Sequence, residues 1–140
     1  MGADLYIKNM EREPQYTGFG VSERDVDLGY FRDVYNRCGL FSVMSQCLGK
    51  SFSWWHTRDR IDLFDDEGDM TVVGAKIWLS ELKPYIEKFQ QLNIMIIRTY
   101  DGESVRLSEG EMAFQKQHAL LLKRFLELAI KKKSPIIWSV

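Results

Sequence analysis

The 140-residue chain fits one domain, and a domain of this length can bury enough apolar surface to fold without a disulfide or a structural metal. Its 19 basic and 20 acidic residues give a net charge of −1, which argues against a generic nucleic-acid binder, because such a protein needs a surplus of Lys and Arg. The two cysteines match neither a CxxC nor a zinc pattern, and neither a secretion signal nor a membrane span is evident, so we predict a cytoplasmic protein with free thiols.

The first predicted element is a strand over residues 3–8, where ADLYIK alternates partly between apolar and polar side chains. Residues 9–28 follow as a predicted loop, because they are polar and contain Pro14, Gly18 and Gly20. An irregular segment of this length in a compact domain is often functional.

A helix over residues 34–48 is predicted next, with Asp33 as its cap and Gly49 as its stop signal. Its apolar side chains recur every three or four residues, at Val34, Cys38, Phe41, Met44 and Leu48. Because Cys38 and Cys47 lie on or near this apolar face, we expect both thiols to be buried and slow to react. Gly39 inside a helix costs about 1 kcal/mol relative to Ala, so we expect a close contact there.

The segment after this helix is less regular. Residues 51–64 predict either a short helix or the edge of a pocket. The acidic residues 65–69 predict a solvated loop rather than a calcium site, since the ligand positions of the calcium-loop template are not filled. The two histidines, His56 and His118, have no metal-ligand spacing, so no zinc site is predicted either.

Thr71 caps a second predicted helix, which Pro84 must kink or divide because proline removes a bond to the preceding turn. Residues 93–107 fit two structures. We favour a helix that ends near Tyr100, because the apolar period continues; the alternative is a hairpin that turns at Asp101 and Gly102.

The last predicted helix has the clearest start, because Ser108 and Glu111 form a capping-box pattern ahead of a long apolar stripe. Residues 136–140 read as a strand that can pair with residues 3–8. The elements together predict an α+β fold: a helix-dominated single domain over residues 1–140, with about three main helices and a small sheet that pairs the two termini.

Four segments of the chain form a recognisable set. They are MGADLYI at the start, GYFRDVYN at residues 29–36, Ser-Trp-Trp at residues 53–55 and the closing FLELAI…SPIIWSV. The set resembles a family of small proteins from bacteria and their phages, of similar length, to which we attach no activity, cofactor or substrate. The chain departs from that pattern in a shorter segment before GYFRD and in Trp138, where a cysteine is usual. The resemblance implies the fold and a bacterial or phage origin, and it transfers no catalytic residue.

Aromatic and basic side chains cluster most densely between residues 30 and 60. The flat guanidinium of Arg32 suits a phosphate or carboxylate, and the aromatic rings suit a flat ligand. The candidate ligand-binding residues are Tyr30, Arg32, Tyr35, Trp54, Trp55, His56, Arg58 and Arg60. A competing interpretation is that Arg32 pairs with Asp33 or caps a helix while the aromatics fill the core, and a core is the first role that we assign to this stretch.

The leading interpretation of the function is a non-catalytic phage or bacterial accessory protein that binds a small anionic or nucleotide-like ligand. The alternative is a protein-interaction module, such as an inhibitor or immunity protein, that uses the acidic loop at residues 65–69 and exposed aromatics. A third interpretation is a small hydrolase or transferase that uses His56 and Asp59. We predict no cofactor and no membrane partner, and we leave a homo-oligomer open.

Overall fold

The computed structural model describes residues 2–10 and 22–140 of the chain. This part of the chain forms five helices and five strands. In chain order they are β1 (Gly2–Ile7), α1 (Glu23–Asp27), β2 (Tyr30–Val34), α2 (Leu40–Leu48), α3 (Trp54–Arg58), α4 (Val72–Gln90), β3 (Ile96–Arg98), β4 (Ser104–Arg106), α5 (Glu109–Lys132) and β5 (Ile136–Ser139). The predicted α+β fold is confirmed, and α2, α4 and α5 are its main helices.

The main sheet joins the two terminal strands. Its order is β2-β1-β5, and β1 runs antiparallel to both neighbours. The predicted pairing is therefore confirmed, with Leu5 opposite Trp138 and Ile7 opposite Ile136. Alternate side chains of a strand point to opposite faces, and those of Ala3, Leu5 and Ile7 are fully buried in the core. Burial of this one face fixes the register of the central strand.

The predicted helix over residues 34–48 is wrong at its start. Tyr30–Val34 form β2, and α2 begins only at Leu40, so Val34 lies outside the helix. The physical reason is a distant partner: residues of β2 pair with β1, which the local apolar period cannot reveal. Gly39 is the N-cap of α2, and a Cβ there would lie 2.1 Å from the Val34 carbonyl oxygen. The expected close contact at Gly39 therefore exists, at the turn into the helix rather than inside it.

The predicted helix caps are present in the structure. Gly49 ends α2 in the left-handed conformation, with φ 66°. At the start of α4, Thr71 Oγ1 accepts a hydrogen bond of 2.8 Å from the Gly74 N–H. At the start of α5, Ser108 and Glu111 form the predicted capping box, in which each side chain bonds to the other residue's N–H.

Helix α4 runs through Pro84 as a single element, so the proline does not divide it. Proline removes one hydrogen bond to the preceding turn, a loss that tertiary packing can offset. Leu82, Ile86 and Phe89 are all buried along the face of α4 that turns to the core. Their burial keeps the helix intact on both sides of the proline.

The favoured helix in residues 93–107 is wrong, and the alternative hairpin is correct. Strands β3 and β4 pair antiparallel, and the turn between them contains Gly102 with φ 80°, a conformation that favours glycine. The Arg98 N–H donates a hydrogen bond of 2.6 Å to Gln46 Oε1, which ties the hairpin to α2. The hairpin turn carries Tyr100 to the surface, where it is 75% exposed.

Only part of the predicted loop over residues 9–28 falls within the described residues. There, Glu23–Asp27 form the short helix α1 instead of a loop. Arg124 of α5 holds α1 in place, since its Nε and Nη2 donate hydrogen bonds of 3.0 and 2.9 Å to the Asp27 carboxylate. Among the helices of the described chain, none is long and apolar enough to cross a membrane.

The buried end of β5 tests how much the sheet contributes to stability. Ile136 is fully buried, whereas Ile61 is 94% exposed. We expect Ile136→Ala to lower the free energy of unfolding by about 2–4 kcal/mol, because it removes buried methyl groups and leaves a cavity. Ile61→Ala is the matched control and should change that free energy by less than about 0.5 kcal/mol. Urea titrations measure both values, and equal stabilities would contradict the place of β5 in the core.

Candidate functional site

A buried carboxylate lies where β2, α2 and α3 meet. Asp33 is 1% exposed, and its two oxygens accept four hydrogen bonds. The donors are the backbone N–H groups of Val34, Leu40 and Phe41, at 2.9, 2.7 and 3.1 Å, and the indole N–H of Trp54, at 2.8 Å. Two of these donors belong to the first turn of α2, so the positive end of that helix faces the carboxylate. Asp33 therefore caps α2 from outside the helix and fixes Trp54 at the same time.

Trp54 is part of the core as well as of the candidate site. Its ring stacks on Phe41 with centroids 4.0 Å apart, and its indole N–H is bound to Asp33. Trp78 and Trp138 lie at 5.8 and 5.6 Å from the same ring. The indole N–H of Trp54 is hydrogen-bonded and its ring is enclosed by other rings, so Trp54 forms a fixed wall beside the candidate site. This agrees with the core role predicted for the segment between residues 30 and 60.

Arg32 and Tyr30 lie on the outer face of the sheet, opposite the core. Arg32 Nη1 donates to both carboxylate oxygens of Asp4, at 2.7 and 2.8 Å, and the Tyr30 hydroxyl donates to the same carboxylate at 2.5 Å. The Tyr6 ring stacks on Tyr30 with centroids 5.1 Å apart. Burial, reinforced by Asp4, raises the pKa of the Tyr30 hydroxyl, which keeps it protonated as a donor. Arg32 thus pairs with Asp4 and not, as the competing interpretation had it, with Asp33.

A cleft of about 300 Å³ opens between the end of β2, α3 and the hairpin turn, and we call it the aromatic cleft. Tyr35, Trp55 and Tyr100 line it, and Trp55 is 52% exposed. The rings of Tyr35 and Trp55 lie 6.1 Å apart. The Arg37 guanidinium lies 5.3 Å from the centre of the Tyr100 ring, and that of Arg58 lies 6.0 Å from the Trp55 ring. Exposed rings and two cations therefore lie together here, with Arg37 in the lining of the cleft and Arg58 beside the Trp55 ring.

A second cleft, of about 540 Å³, lies between α3 and α4, and we call it the α3–α4 cleft. His56 and Arg60 are both among its lining residues. Arg60 donates to Glu81 at 2.5 and 2.9 Å and to Asp62 at 3.1 and 2.7 Å. These two carboxylates raise the pKa of Arg60 and neutralise much of its charge. His56 is exposed at the edge of the cleft.

The structure distributes the eight predicted ligand residues over three places. Tyr30 and Arg32 lie on the outer face of the sheet. The aromatic cleft is lined by Tyr35, Trp54 and Trp55, with Arg58 beside the Trp55 ring. The α3–α4 cleft is lined by His56 and Arg60. The two clefts are neighbours, because Phe41, Phe52 and Ser53 line both of them. The residues that cluster in the sequence therefore do not share one common pocket, and their role in ligand binding stays a prediction.

Several residues that line the two clefts are absent from the predicted ligand-binding set. Arg37 and Tyr100 belong to the aromatic cleft, and Lys50 and Tyr85 belong to the α3–α4 cleft. Arg37 lies one residue beyond the GYFRDVYN motif and offered a usable signal. Tyr100 was assigned to the end of a helix, and only the hairpin brings it to the cleft.

The catalytic hypothesis requires the side chains of His56 and Asp59 to act together. The backbone N–H of His56 donates to Ser53 Oγ at 3.3 Å, and Asp59 is the C-cap of α3. Within residues 22–140, no hydrogen bond links the two side chains. Both residues are exposed, so neither has the enclosed setting that usually tunes a general base.

The acidic loop at residues 65–69 is folded back on itself. Asp65 Oδ1 accepts hydrogen bonds of 3.0 Å from the N–H groups of Glu67 and of Asp69. The three side chains place carboxylate oxygens within 4.8 Å of one another, close enough to share a cation. Lys8 Nζ already lies 3.2 Å from Asp69 and 3.8 Å from Glu67. Its ammonium group supplies positive charge to this loop.

The expectation that both cysteines are buried is wrong for Cys38, which is exposed. The cause is the shortened helix: Cys38 lies in the turn between β2 and α2, where its N–H donates to Asn36 Oδ1 at 2.8 Å. Cys47 does lie on α2 and is half-buried, and burial raises the pKa of its thiol.

No family model matches the sequence, and no curated protein or solved structure matches it either. The function is therefore inferred from the geometry of the two clefts.

The Asp33 network offers a sharp test of what holds the region together. Asp33→Asn keeps the size of the side chain but replaces one acceptor oxygen by an amide donor, which then faces N–H groups. We expect the free energy of unfolding to fall by about 2–4 kcal/mol, because buried donors lose their acceptor. Asp66→Asn, at an exposed position of the acidic loop, is the control. Urea titration measures both variants, and a loss below about 0.5 kcal/mol for Asp33→Asn would contradict the network.

The two thiols should differ in reactivity. With iodoacetamide at neutral pH, we expect Cys38 to react at least about tenfold faster than Cys47, because exposure and an unhindered thiolate control the rate. Mass spectrometry of the digested protein, sampled over time, gives both rates, and urea-unfolded protein is the control in which they should converge. Equal rates in the native protein would contradict the different burial of the two residues.

Proposed function

We propose that the protein is a non-catalytic binding protein whose aromatic cleft takes a flat, anionic ligand of the nucleotide class. One observation carries the proposal: Trp55 and Tyr100, which are 52% and 75% exposed, border the same cleft, and each has an arginine at its ring. Large exposed aromatic side chains in one place are typical of binding surfaces. The combination of ring and guanidinium matches a base and a phosphate.

The chemistry of the cleft supports this ligand class. Stacking of a base on an aromatic ring contributes about 1–3 kcal/mol per base. Arg37 and Arg58 supply the charge, and in the described part of the chain neither forms an ion pair, so both are available to an anion. The volume, about 300 Å³, lies at the lower end of ligand pockets and suits a single nucleotide-sized molecule.

Arg32 has no part in this proposal. Its guanidinium is bound to Asp4 on the outer face of the sheet. The negative charge of the ligand is therefore bound by Arg37 and Arg58 instead. Tyr35, Trp54, Trp55 and Arg58 remain from the sequence-based set. The resemblance to bacterial and phage proteins supports an accessory role in such a cell, with the cytoplasm as the location.

A second candidate function, a protein-interaction module, is favoured by a different observation. The β3–β4 region exposes Ile94, Ile96 and Val105 close in sequence to Tyr100. Several exposed apolar side chains on one small hairpin suit a protein partner. A photoreactive residue at position 96 should then capture a partner in a cell lysate, while the same residue at the exposed position 61 should not.

Binding of AMP tests the leading proposal. We expect Trp55→Ala and Tyr100→Ala each to weaken AMP binding by about 1–3 kcal/mol, measured by calorimetry, because each removes a stacking ring. Phe114→Ala is the matched control, since Phe114 is an exposed aromatic outside the cleft.

The arginines provide a second comparison in the same experiment. Arg58→Lys should weaken AMP binding with little change in melting temperature. Arg32→Lys should lower the melting temperature and leave the affinity of the folded protein unchanged, because Arg32 holds Asp4. AMP binding that is unaffected by Trp55→Ala and Tyr100→Ala, or absent at millimolar AMP, would contradict the proposal.

A further inference from the structure

The α3–α4 cleft is the larger of the two clefts and has an apolar base. Phe41, Trp78 and Leu82 line it and are 3%, 4% and 3% exposed. Phe52 and Tyr85 also line it, with their rings edge to face and 5.4 Å apart. A volume of about 540 Å³ is well within the range of pockets that hold small organic molecules.

The aromatic rings at the base of this cleft are already packed against one another. Phe41 stacks on Trp54 at 4.0 Å, and the Trp78 ring meets Phe41 edge-on at 6.1 Å. Trp138 lies a further 5.4 Å from Trp78. Rings arranged in this way offer hydrocarbon surface rather than an open stacking face. The base of the cleft therefore suits an aliphatic body better than a flat ring, unlike the aromatic cleft.

The charges at the two ends of the cleft differ. At one end, Arg60 pairs with two carboxylates, Asp62 and Glu81, so this end has a net negative charge. At the other end, the ammonium groups of Lys50 and Lys88 lie 4.7 and 5.6 Å from the centre of the Tyr85 ring. Neither lysine forms an ion pair with any described residue. The Tyr85 end of the cleft is therefore positive and unpaired.

Between these ends, most polar groups already form hydrogen bonds within α3 and its N-cap. The Ser53 hydroxyl accepts a hydrogen bond from the His56 N–H, and the Thr57 hydroxyl donates to the Ser53 carbonyl at 2.7 Å. Ser51, which also lines the cleft and is exposed, lies next to Lys50 in the chain. Lys50 and Ser51 together thus form one polar end of the cleft, next to its apolar base and away from Arg60 and Glu81.

We propose that the α3–α4 cleft is a second binding site, for a small organic anion with an aliphatic body such as a medium-chain carboxylate. The acid group lies at Lys50 and Ser51, and the aliphatic body lies on Phe41, Trp78 and Leu82. A charge-assisted hydrogen bond from Lys50 selects the anion over a neutral molecule of the same shape. The site shares Phe41, Phe52 and Ser53 with the aromatic cleft, but its charged residues and its ligand are different, so the proposal does not rest on the proposed function.

Octanoate is the probe, because it carries a carboxylate and cannot stack in the aromatic cleft. The readout is the set of four indole N–H signals in a ¹⁵N-labelled protein, assigned by single Trp→Phe variants. Trp78 lines the α3–α4 cleft and Trp55 lines the aromatic cleft, so their signals report the two sites separately. We expect octanoate to shift Trp78 in a saturable way, with Trp55 unmoved, and 1-octanol to bind at least about threefold more weakly.

Two substitutions with opposite expected effects make the test specific. Lys50→Ala should weaken octanoate binding about three- to tenfold, because it removes the unpaired charge. Lys76→Ala, at an exposed position of α4 outside the cleft lining, is its control. Glu81→Gln should strengthen binding about two- to threefold, because it removes one of the two carboxylates that make the Arg60 end of the cleft negative.

Several outcomes would overturn the proposal. They are a shift of Trp55 without a shift of Trp78, equal affinity for octanoate and 1-octanol, unchanged affinity in Lys50→Ala, or no saturable shift up to the solubility limit of octanoate. Titration of the same labelled protein with AMP reads the aromatic cleft through Trp55. A failure of one site is therefore distinguishable from a failure of the other.

Discussion

The buried carboxylate of Asp33 is the interaction on which the geometry of both clefts depends. It accepts N–H groups from β2, from the first turn of α2 and from Trp54 of α3, so three elements converge on two oxygen atoms. Phe41, whose N–H is one of the donors, lines both clefts and stacks on Trp54. The shapes of the two clefts are thus coupled through one buried carboxylate. Removing this carboxylate from water costs free energy, but its hydrogen bonds fix the positions of β2, α2 and α3. Any ligand that displaces Phe41 in one cleft changes a wall of the other.

Strand geometry explains why the densest aromatic and basic segment does not form one pocket. Neighbouring residues of a strand point to opposite faces, so Asp33 enters the core while Arg32 lies outside beside Asp4. A shift of the β2 register by one residue would exchange them and place an arginine in the core. The chain then leaves the sheet after Val34, and α3 divides its own side chains between the two clefts. Residues that are close in sequence therefore lie at three separate places in the structure.

The features that the sequence predicted well are those set by local bonds. The capping box at Ser108 and the left-handed stop at Gly49 need only a few adjacent residues, and both are present. The features that it missed need distant partners. Residues of β2 become a strand because β1 offers an edge, and Tyr100 reaches the aromatic cleft because a hairpin, fixed to α2 through Gln46, replaces the expected helix.

The position of β1 between β2 and β5 has a consequence for the order of folding. β1 leaves the ribosome before the rest of the sheet and can pair with β2 early, since only residues up to 34 are needed. Its other edge stays open until β5 has followed the 24-residue helix α5 out of the ribosome. An open edge of this kind pairs readily with strands of other chains. During synthesis, the protein therefore passes through an interval in which association with a neighbouring nascent chain competes with closure of its own sheet.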